Sequence, residues 1–162
     1  MGRRRKGQRV PRVFPVVQLT IKSLDMEGRG IAHHDGKVVF VEGALPFEEV
    51  RADVIREKSN YNQARTTEVL KISSERVEPK CAAFGMCGGC AMQHINPRAQ
   101  IAAKQRVLED NLQRIGQVKP EVILRPIAGP TWGYRYRARL SVRNVHKKGE
   151  VLVGFRGKNG SY

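Results

Sequence analysis

All three cysteines of this 162-residue chain lie within ten residues of one another, in the stretch CAAFGMCGGCAMQH. Their spacing is Cys81-x5-Cys87-x2-Cys90, and the Cys-x2-Cys pair places two thiolates on one tight turn. The glycines in this stretch let the backbone fold closely around an ion or a cluster. The pattern predicts a metal-binding loop, but a tetrahedral metal site needs a fourth ligand.

Two metal interpretations stay open on spacing alone. In the first, His94 is the fourth ligand and completes a Cys3His zinc knuckle. In the second, the three cysteines hold an iron–sulfur cluster and the fourth ligand comes from elsewhere in the chain. A third interpretation treats the cysteines as small buried hydrophobes or a redox pair, and three thiols in so short a glycine-rich stretch disfavour it.

The charge distribution predicts a polyanionic partner. The net charge is +15, and the excess of basic residues sits at the two ends of the chain. Residues 1–12 carry six Lys or Arg and no acid, and residues 119–162 carry ten bases against two acids. Residues 13–73 are nearly neutral, with eight bases and nine acids. Nucleic acid explains this pattern best, because a tail that only aids solubility would not account for the arginines near the C-terminus.

The cellular context is expected to be the cytoplasm. No run approaches 18 consecutive apolar residues, so no membrane span is predicted. The basic start MGRRRKGQRVPR is not followed by the apolar stretch of a signal peptide. In a cytoplasmic protein, clustered cysteines bind metal or act in redox chemistry more often than they form disulfides.

Residues 13–73 have the pattern of a compact all-β unit. The stretch VVQLTIKSL alternates apolar and polar residues, as a half-buried strand does. Asp35-Gly36 lies between two strand-like runs and supplies the positive φ angles of a type I′ hairpin turn. EEVRADVIREK and QARTTEVLKI complete the set, and short strands at this spacing predict a small barrel or sandwich. RNA binding by this unit is only slightly favoured over an inert structural role.

A helix is predicted at residues 98–116. Asn96 is a candidate N-cap, Pro97 suits the first helical position and Gly116 is a candidate C-terminal cap. The predicted apolar face consists of Ile101, Leu108, Leu112 and Ile115, and the opposite face holds Lys104, Arg106 and Glu109. We expect the helix to pack the cysteine loop against the segment that follows.

The stretch YRYRARLSVR (134–143) alternates strictly and predicts a strand with one basic face. Like charges at this spacing repel one another unless an anion lies across them, and nearby aromatic rings can stack on bases. We therefore predict RNA binding by Arg135, Arg137, Arg139, Arg143 and Tyr136. The alternative is a solvated edge strand whose arginines prevent edge pairing. VLVGF is expected to form the returning partner strand.

The cysteine stretch, with its Cys-x5-Cys-Gly-Gly-Cys pattern followed by Gln93 and His94, resembles the iron–sulfur motif of the bacterial 23S rRNA (uracil-C5)-methyltransferases. Residues 13–73 resemble that family's TRAM domain, an OB-like RNA-binding barrel, and GYRYRARLSV and VGFR resemble the start of its central domain. The resemblance covers nearly the entire chain and implies a mostly β, α+β fold. The implied parts are a basic disordered tail (1–12), a TRAM-like OB barrel (13–73), an iron–sulfur cysteine loop (74–97), a helix (98–116) and the start of a β-rich RNA-binding central domain (119–162).

The resemblance also implies a cofactor and a reaction. Cys81, Cys87 and Cys90 would ligate a [4Fe-4S] cluster, the family's fourth cysteine would follow shortly after Tyr162, and His94 need not be a ligand. The chain is thus expected to be an N-terminal portion that is inactive alone. In the intact enzyme, a cysteine thiolate adds to C6 of uridine, C5 attacks the methyl group of S-adenosylmethionine, and a base removes the C5 proton. No catalytic or S-adenosylmethionine-binding residue is assigned here, and the expected partner of this monomer is 23S rRNA, without membrane association.

Two rival functions remain. The first is a stand-alone RNA-binding module with a zinc knuckle formed by Cys81, Cys87, Cys90 and His94, without catalysis. The second is a protein-interaction piece whose basic ends bind acidic proteins. RNA affinity that falls steeply with added salt would argue against the second rival.

Overall fold

Six strands form one curled, antiparallel-rich sheet in the computed structural model, which describes residues 15–146 and 149–158. The predicted basic tail at residues 1–12 lies outside the described residues. The order across the sheet is β1-β5-β6-β4-β3-β2, and β4 and β6 form its parallel pair. The strands are β1 (Val16–Thr20), β2 (Ser23–Leu24), β3 (Gly30–His34), β4 (Lys37–Glu42), β5 (Glu49–Glu57) and β6 (Tyr61–Lys71).

One bent stretch of chain connects the two ends of this sheet. Only two residues separate β1, which pairs with β5, from β2, which pairs with β3. Between them, Ile21 donates its backbone N–H to the carbonyl of Glu48 at 2.9 Å, and Lys22 donates to the carbonyl of Ile31 at 2.8 Å. The sheet therefore curls back on itself, and the expected mostly β, OB-like architecture is confirmed.

Alternating side chains build the interior of the curled sheet. Val17 and Leu19 of β1 are buried, whereas their strand neighbours are exposed, as the period-2 pattern predicts. The central cluster of the sheet interior comprises Val17, Leu19, Ile21, Ala32, Val39, Val41, Ala44, Val50, Ala52, Val54 and Ala64. The predicted hairpin turn is also confirmed, because Asp35 and Gly36 have φ angles of 48° and 75°.

A short backbone ladder, here called the clasp, joins residues 75–77 to residues 94–96. Arg76 and Ile95 form an antiparallel bridge. Val77 donates to the carbonyl of His94 at 3.0 Å, and Asn96 donates to the carbonyl of Glu75 at 2.8 Å. The buried Ile95 packs on Leu24 and Leu45 at one end of the barrel. The clasp therefore fixes both ends of the intervening cysteine loop to the barrel.

The helix α1 (Pro97–Arg114) confirms the sequence prediction in position but not in packing. The Asn96 side chain accepts the N–H of Arg98 at 3.0 Å, as an N-cap does, with Pro97 directly after it. No residue of the helix is buried, and the expected apolar face leaves Leu108 53% exposed. Ala99 and Ala103 make the contact with the barrel instead. Their short side chains let the helix backbone approach the barrel, whereas larger ones would hold it away.

The predicted strand at residues 134–143 is wrong over most of its length. Strand β7 begins only at Ser141 and ends at Val145, and it pairs with β8 (Glu150–Gly154). The partner strand β8 confirms the expectation for VLVGF. Beyond Gly154, the chain bridges Cys87 through Gly157, and residues 134–140 pair with no strand among the described residues. They are irregular and exposed.

Within residues 15–146 and 149–158, no helix combines the length and apolar character that crossing a bilayer requires.

Candidate metal loop and nucleic-acid surfaces

The cysteine loop is a series of tight turns between the two halves of the clasp. Phe84 donates its backbone N–H to the carbonyl of Cys81, and Cys87 donates to that of Ala83, both at 2.9 Å. Gly85 has a φ of 89°, which other residues rarely adopt. All three cysteines are outside disulfides and of intermediate exposure. The sequence-predicted ligands are therefore partly accessible.

Two of the three sulfurs accept hydrogen bonds from N–H groups. The backbone N–H of Gly89 lies 3.3 Å from Cys87 Sγ, and Nε2 of Gln93 lies 2.8 Å from Cys90 Sγ. The side-chain oxygen of Gln93, Oε1, also accepts a hydrogen bond from the backbone N–H of Cys81 at 3.2 Å. Donors directed at sulfur stabilise negative charge, so this donor set suits thiolates that bind iron or zinc.

The structure does not gather the predicted ligands into one centre. The described residues contain no group of three or more His, Cys, Asp or Glu side chains placed to hold a metal ion. This applies to the iron–sulfur ligand set and equally to the zinc set that includes His94. The residue types and their N–H donors fit a thiolate-bound metal, while their present side-chain arrangement is not that of a loaded site.

His94 lies buried beneath the cysteine loop. Its side chain is only 3% exposed, and its ring centroid is 5.3 Å from that of Phe84. Burial, followed by the positive charge of Arg76, lowers the pKa of His94 from 6.5 to about 4, so the ring is neutral near pH 7. Among the described residues, neither ring nitrogen has a hydrogen-bond partner. In a neutral imidazole, one ring nitrogen can donate a hydrogen bond and the other has a lone pair that can ligate a metal.

The cysteine loop also contacts the chain after β8. Gly88 donates its N–H to the carbonyl of Arg156 at 2.8 Å, and Lys158 donates to the carbonyl of Met86 at 2.9 Å. A Cβ atom at Gly88 would lie 3.0 Å from that Arg156 oxygen, so the close approach depends on glycine. The loop is thus held by the barrel on one side and by the β7–β8 hairpin on the other.

A buried ion pair, which no pattern in the sequence predicts, anchors the clasp to the barrel. Glu48 is fully buried, and both of its carboxylate oxygens accept from the guanidinium of Arg76, at 2.6 and 2.7 Å. Glu48 also accepts the backbone N–H groups of Leu45 and Ser73. Burial alone would raise the pKa of Glu48, but these hydrogen bonds and the Arg76 charge outweigh it and lower the pKa below 4.5.

The predicted RNA-binding residues lie in two settings. Arg135, Tyr136, Arg137 and Arg139 are exposed on the irregular segment before β7, and Tyr136 is 93% exposed. Arg143 lies within β7. Neighbouring aromatic rings attract cations, since Arg135 lies 5.8 Å from the Tyr134 ring and Lys80 lies 5.6 Å from the Trp132 ring. The segment offers accessible guanidinium groups and rings, although not as the expected row on one strand face.

A second candidate surface lies on the outside of the barrel, where the sequence analysis placed no site. Phe40 of β4 and Tyr61 of β6 face outward, with ring centroids 5.6 Å apart and planes at 79°. The Arg29 guanidinium lies 4.7 Å above the Phe40 ring. The stretch KVVFVE carries the signal for this surface. Val39 and Val41 point inward and supply the core, yet the outward positions Val38 and Phe40 are apolar as well. Outward aromatic residues on such a barrel are typical of nucleic-acid stacking surfaces.

The chain is similar to known proteins in its barrel and along most of its length. Residues 12–67 match the TRAM domain family, which confirms the resemblance expected for residues 13–73. The chain is 62% identical over 144 residues to a protein of Bordetella pertussis named 23S rRNA (uracil(1939)-C(5))-methyltransferase RlmD, covering 89% of this chain and 31% of that protein. Proteins of the same name from Polaromonas naphthalenivorans (58% over 154 residues; 92% and 31%) and Chromobacterium violaceum (60% over 142 residues; 88% and 28%) are similar. The chain therefore spans less than a third of the length of these relatives.

Proposed function

We propose that this chain forms the N-terminal RNA-binding and iron–sulfur portion of an S-adenosylmethionine-dependent 23S rRNA (uracil-C5)-methyltransferase. The basis is its sequence similarity to proteins of that name. The observation that carries the proposal is the identity of about three residues in five along nearly the whole chain. The product would be 5-methyluridine in 23S rRNA, made in the cytoplasm. No residue of this chain is assigned to the methyl-transfer step or to S-adenosylmethionine.

The RNA-binding role is distributed over two surfaces. Arg135, Arg137, Arg139 and Arg143 would contact phosphates, with Tyr136 beside them available to stack on a base. The barrel would contribute Phe40 and Tyr61 as a stacking platform for unpaired bases. Support comes from the exposure of the guanidinium groups and from the outward position of the aromatic pair.

The cysteine loop would have a structural role. Cys81, Cys87 and Cys90 would ligate a [4Fe-4S] cluster, which when bound supplies a rigid covalent cross-link rather than electrons for the substrate. The position of the loop supports this role, since its backbone is bonded to the clasp on one side and to Arg156 and Lys158 on the other. A cluster there would fix the barrel and its RNA surface relative to the central domain.

Replacing Arg137 and Arg139 together with alanine is expected to weaken binding to a 23S rRNA segment. With fewer phosphate contacts, RNA binding by the variant releases fewer counterions. The slope of log affinity against log salt concentration should therefore become shallower by about 1 to 2 units for the double variant. Filter binding or fluorescence anisotropy across a salt series measures both quantities.

The matched control for this experiment is Arg51→Ala, because Arg51 is a half-exposed barrel arginine already paired with Glu68 at 2.7 Å. It should retain the parental salt dependence. An Arg137/Arg139 variant with unchanged affinity and slope would remove the phosphate-binding role from this segment.

Replacing Phe40 with alanine is expected to weaken binding of single-stranded RNA without changing its salt dependence. Stacking of one base on an aromatic ring contributes about 1–3 kcal/mol, which corresponds to a loss of roughly 5- to 150-fold in affinity. The control is Phe47→Ala, since Phe47 is 77% exposed and lies in the turn before β5, away from the Phe40–Tyr61 pair. Equal losses in the two variants would contradict a specific stacking platform.

A second candidate function is an RNA-binding module with a zinc knuckle formed by Cys81, Cys87, Cys90 and His94. The buried, unpartnered imidazole of His94 next to the loop favours this candidate, because a structural zinc site accepts such a ligand. Zinc without iron or sulfide in freshly purified protein would support it over the iron–sulfur function.

A further inference from the structure

The side chain of Gln93 connects the two ends of the cysteine stretch. Its Nε2 donates to Cys90 Sγ at 2.8 Å, and its Oε1 accepts the backbone N–H of Cys81 at 3.2 Å. Cys81 is the first and Cys90 the last of the three cysteines. One amide therefore holds a sulfur with its donor end and the backbone of a second cysteine with its acceptor end.

The backbone that carries Gln93 is rigidly supported. The carbonyl of the next residue, His94, accepts from Val77, and Asn96 donates to Glu75 across the clasp. Ile95 between them is 3% exposed and packs on the barrel. The fixed backbone places the start of the Gln93 side chain, and the two hydrogen bonds of its amide then hold the amide in place.

We propose that Gln93 is a positioning residue for the thiolate metal centre: it holds Cys81 and Cys90 in register and sets the charge that the Cys90 sulfur carries. This inference rests on the proposed iron–sulfur function but concerns a residue outside the ligand set. Hydrogen bonds to the sulfurs are one of the factors that set the reduction potential of a cluster. An N–H directed at sulfur stabilises the extra negative charge of the reduced state, so its loss lowers the potential.

The test uses Gln93→Leu in the full chain after anaerobic reconstitution with iron and sulfide. The expected result is a midpoint potential more negative than that of the parent, together with metal loss to a chelator about 10-fold faster or more. Gln93→Glu is the second variant, because it keeps an oxygen for the Cys81 N–H but lacks the donor to Cys90 and adds negative charge. Its potential should fall at least as far.

The matched control is Gln100→Leu. Gln100 also supports this region through its side-chain amide, which donates to the carbonyls of Met92 at 2.9 Å and Ile95 at 3.0 Å, but these bonds involve no sulfur. Its variant should keep the parental potential even if the chain is less stable. A parental potential in both Gln93 variants would overturn the proposal.

Cobalt titration separates this inference from the proposed function. If the parent chain took up no iron, the iron–sulfur function would fail, and Co²⁺ bound to the thiolates would serve as the probe. Gln93→Leu should then bind Co²⁺ about 10- to 100-fold more weakly than the parent, with altered thiolate-to-metal absorption. Parental affinity and absorption, or a parent that binds no Co²⁺, would overturn the positioning role.

Discussion

Replacing Glu48 with glutamine is expected to lower the free energy of unfolding by about 3–5 kcal/mol, because the change leaves the Arg76 guanidinium without its carboxylate at a buried site. The pair is bidentate, and Arg76 also donates to the carbonyl of Gly43, so its guanidinium is held in place beside Glu48. Urea denaturation followed by circular dichroism measures the loss.

The matched control is Glu68→Gln, which breaks a pair of similar length with Arg51 at the surface. Both partners there are about half exposed, so the expected loss is about 1 kcal/mol or less. Equal losses in the two variants would show that the buried pair has no special part in holding the clasp to the barrel.

The parent and the Glu48 variant should also differ in pH dependence. The pKa of Glu48 is lowered in the folded state from its ordinary value of 4.5, so its contribution is complete above pH 4.5. The contribution is lost as the pH falls through the lowered pKa, where the folded protein must take up the proton. The stability difference between parent and Glu48→Gln should therefore narrow below pH 4.5, and a difference that stays constant to lower pH would contradict this assignment.

The second large effect concerns metal content. Chain prepared anaerobically, with a small thiol added to supply the fourth ligand, is expected to be brown and to carry about four iron and four sulfide, and Cys87→Ser should abolish both. Cys87 is the central cysteine of the stretch, and its sulfur accepts the Gly89 N–H. Inductively coupled plasma analysis and a sulfide assay measure the loss.

The matched control for the metal experiment is Met86→Ala. Met86 is adjacent to Cys87 and 72% exposed, so its replacement disturbs the same turn without removing a ligand. It should keep its iron. Stoichiometric zinc in the parent, lost in both Cys87→Ser and His94→Ala, would instead establish the zinc knuckle.

Much of the barrel could be predicted from the sequence because its signals are local. The alternation in β1 decides which side chains face the core, and Asp35-Gly36 decides where the β3–β4 hairpin turns. The start of α1 was equally predictable, since the Asn96 cap and Pro97 act over a few residues. Local chemistry is sufficient in these three places.

The errors arise where a partner distant in sequence decides the structure. Residues 134–140 alternate as a strand does, but the described chain after β8 bridges the cysteine loop at Cys87 and does not pair with them. The pairing of Glu48 with Arg76 likewise depends on where the clasp closes on the barrel. Ala99 and Ala103, rather than the larger apolar residues of α1, make the contact with the barrel, which depends on how the helix leaves the clasp.

The candidate site was predictable as a set of residues but not as an arrangement. The spacing of the three cysteines predicts the loop, whereas nothing in the motif indicates that the amide of Gln93 bonds to a cysteine sulfur. The buried setting of His94 also depends on the clasp, since Val77 holds its backbone carbonyl.

The bond between Gly88 and Arg156 bears on the order in which the polypeptide matures. During synthesis the barrel and the clasp emerge early, whereas Arg156 leaves the ribosome only after α1 and β7. Until then the cysteine turn is supported on one flank alone, with its thiols open to delivery of metal. The turn therefore gains its second support only after the later segment has been made, and its thiols stay partly accessible once that segment is in place.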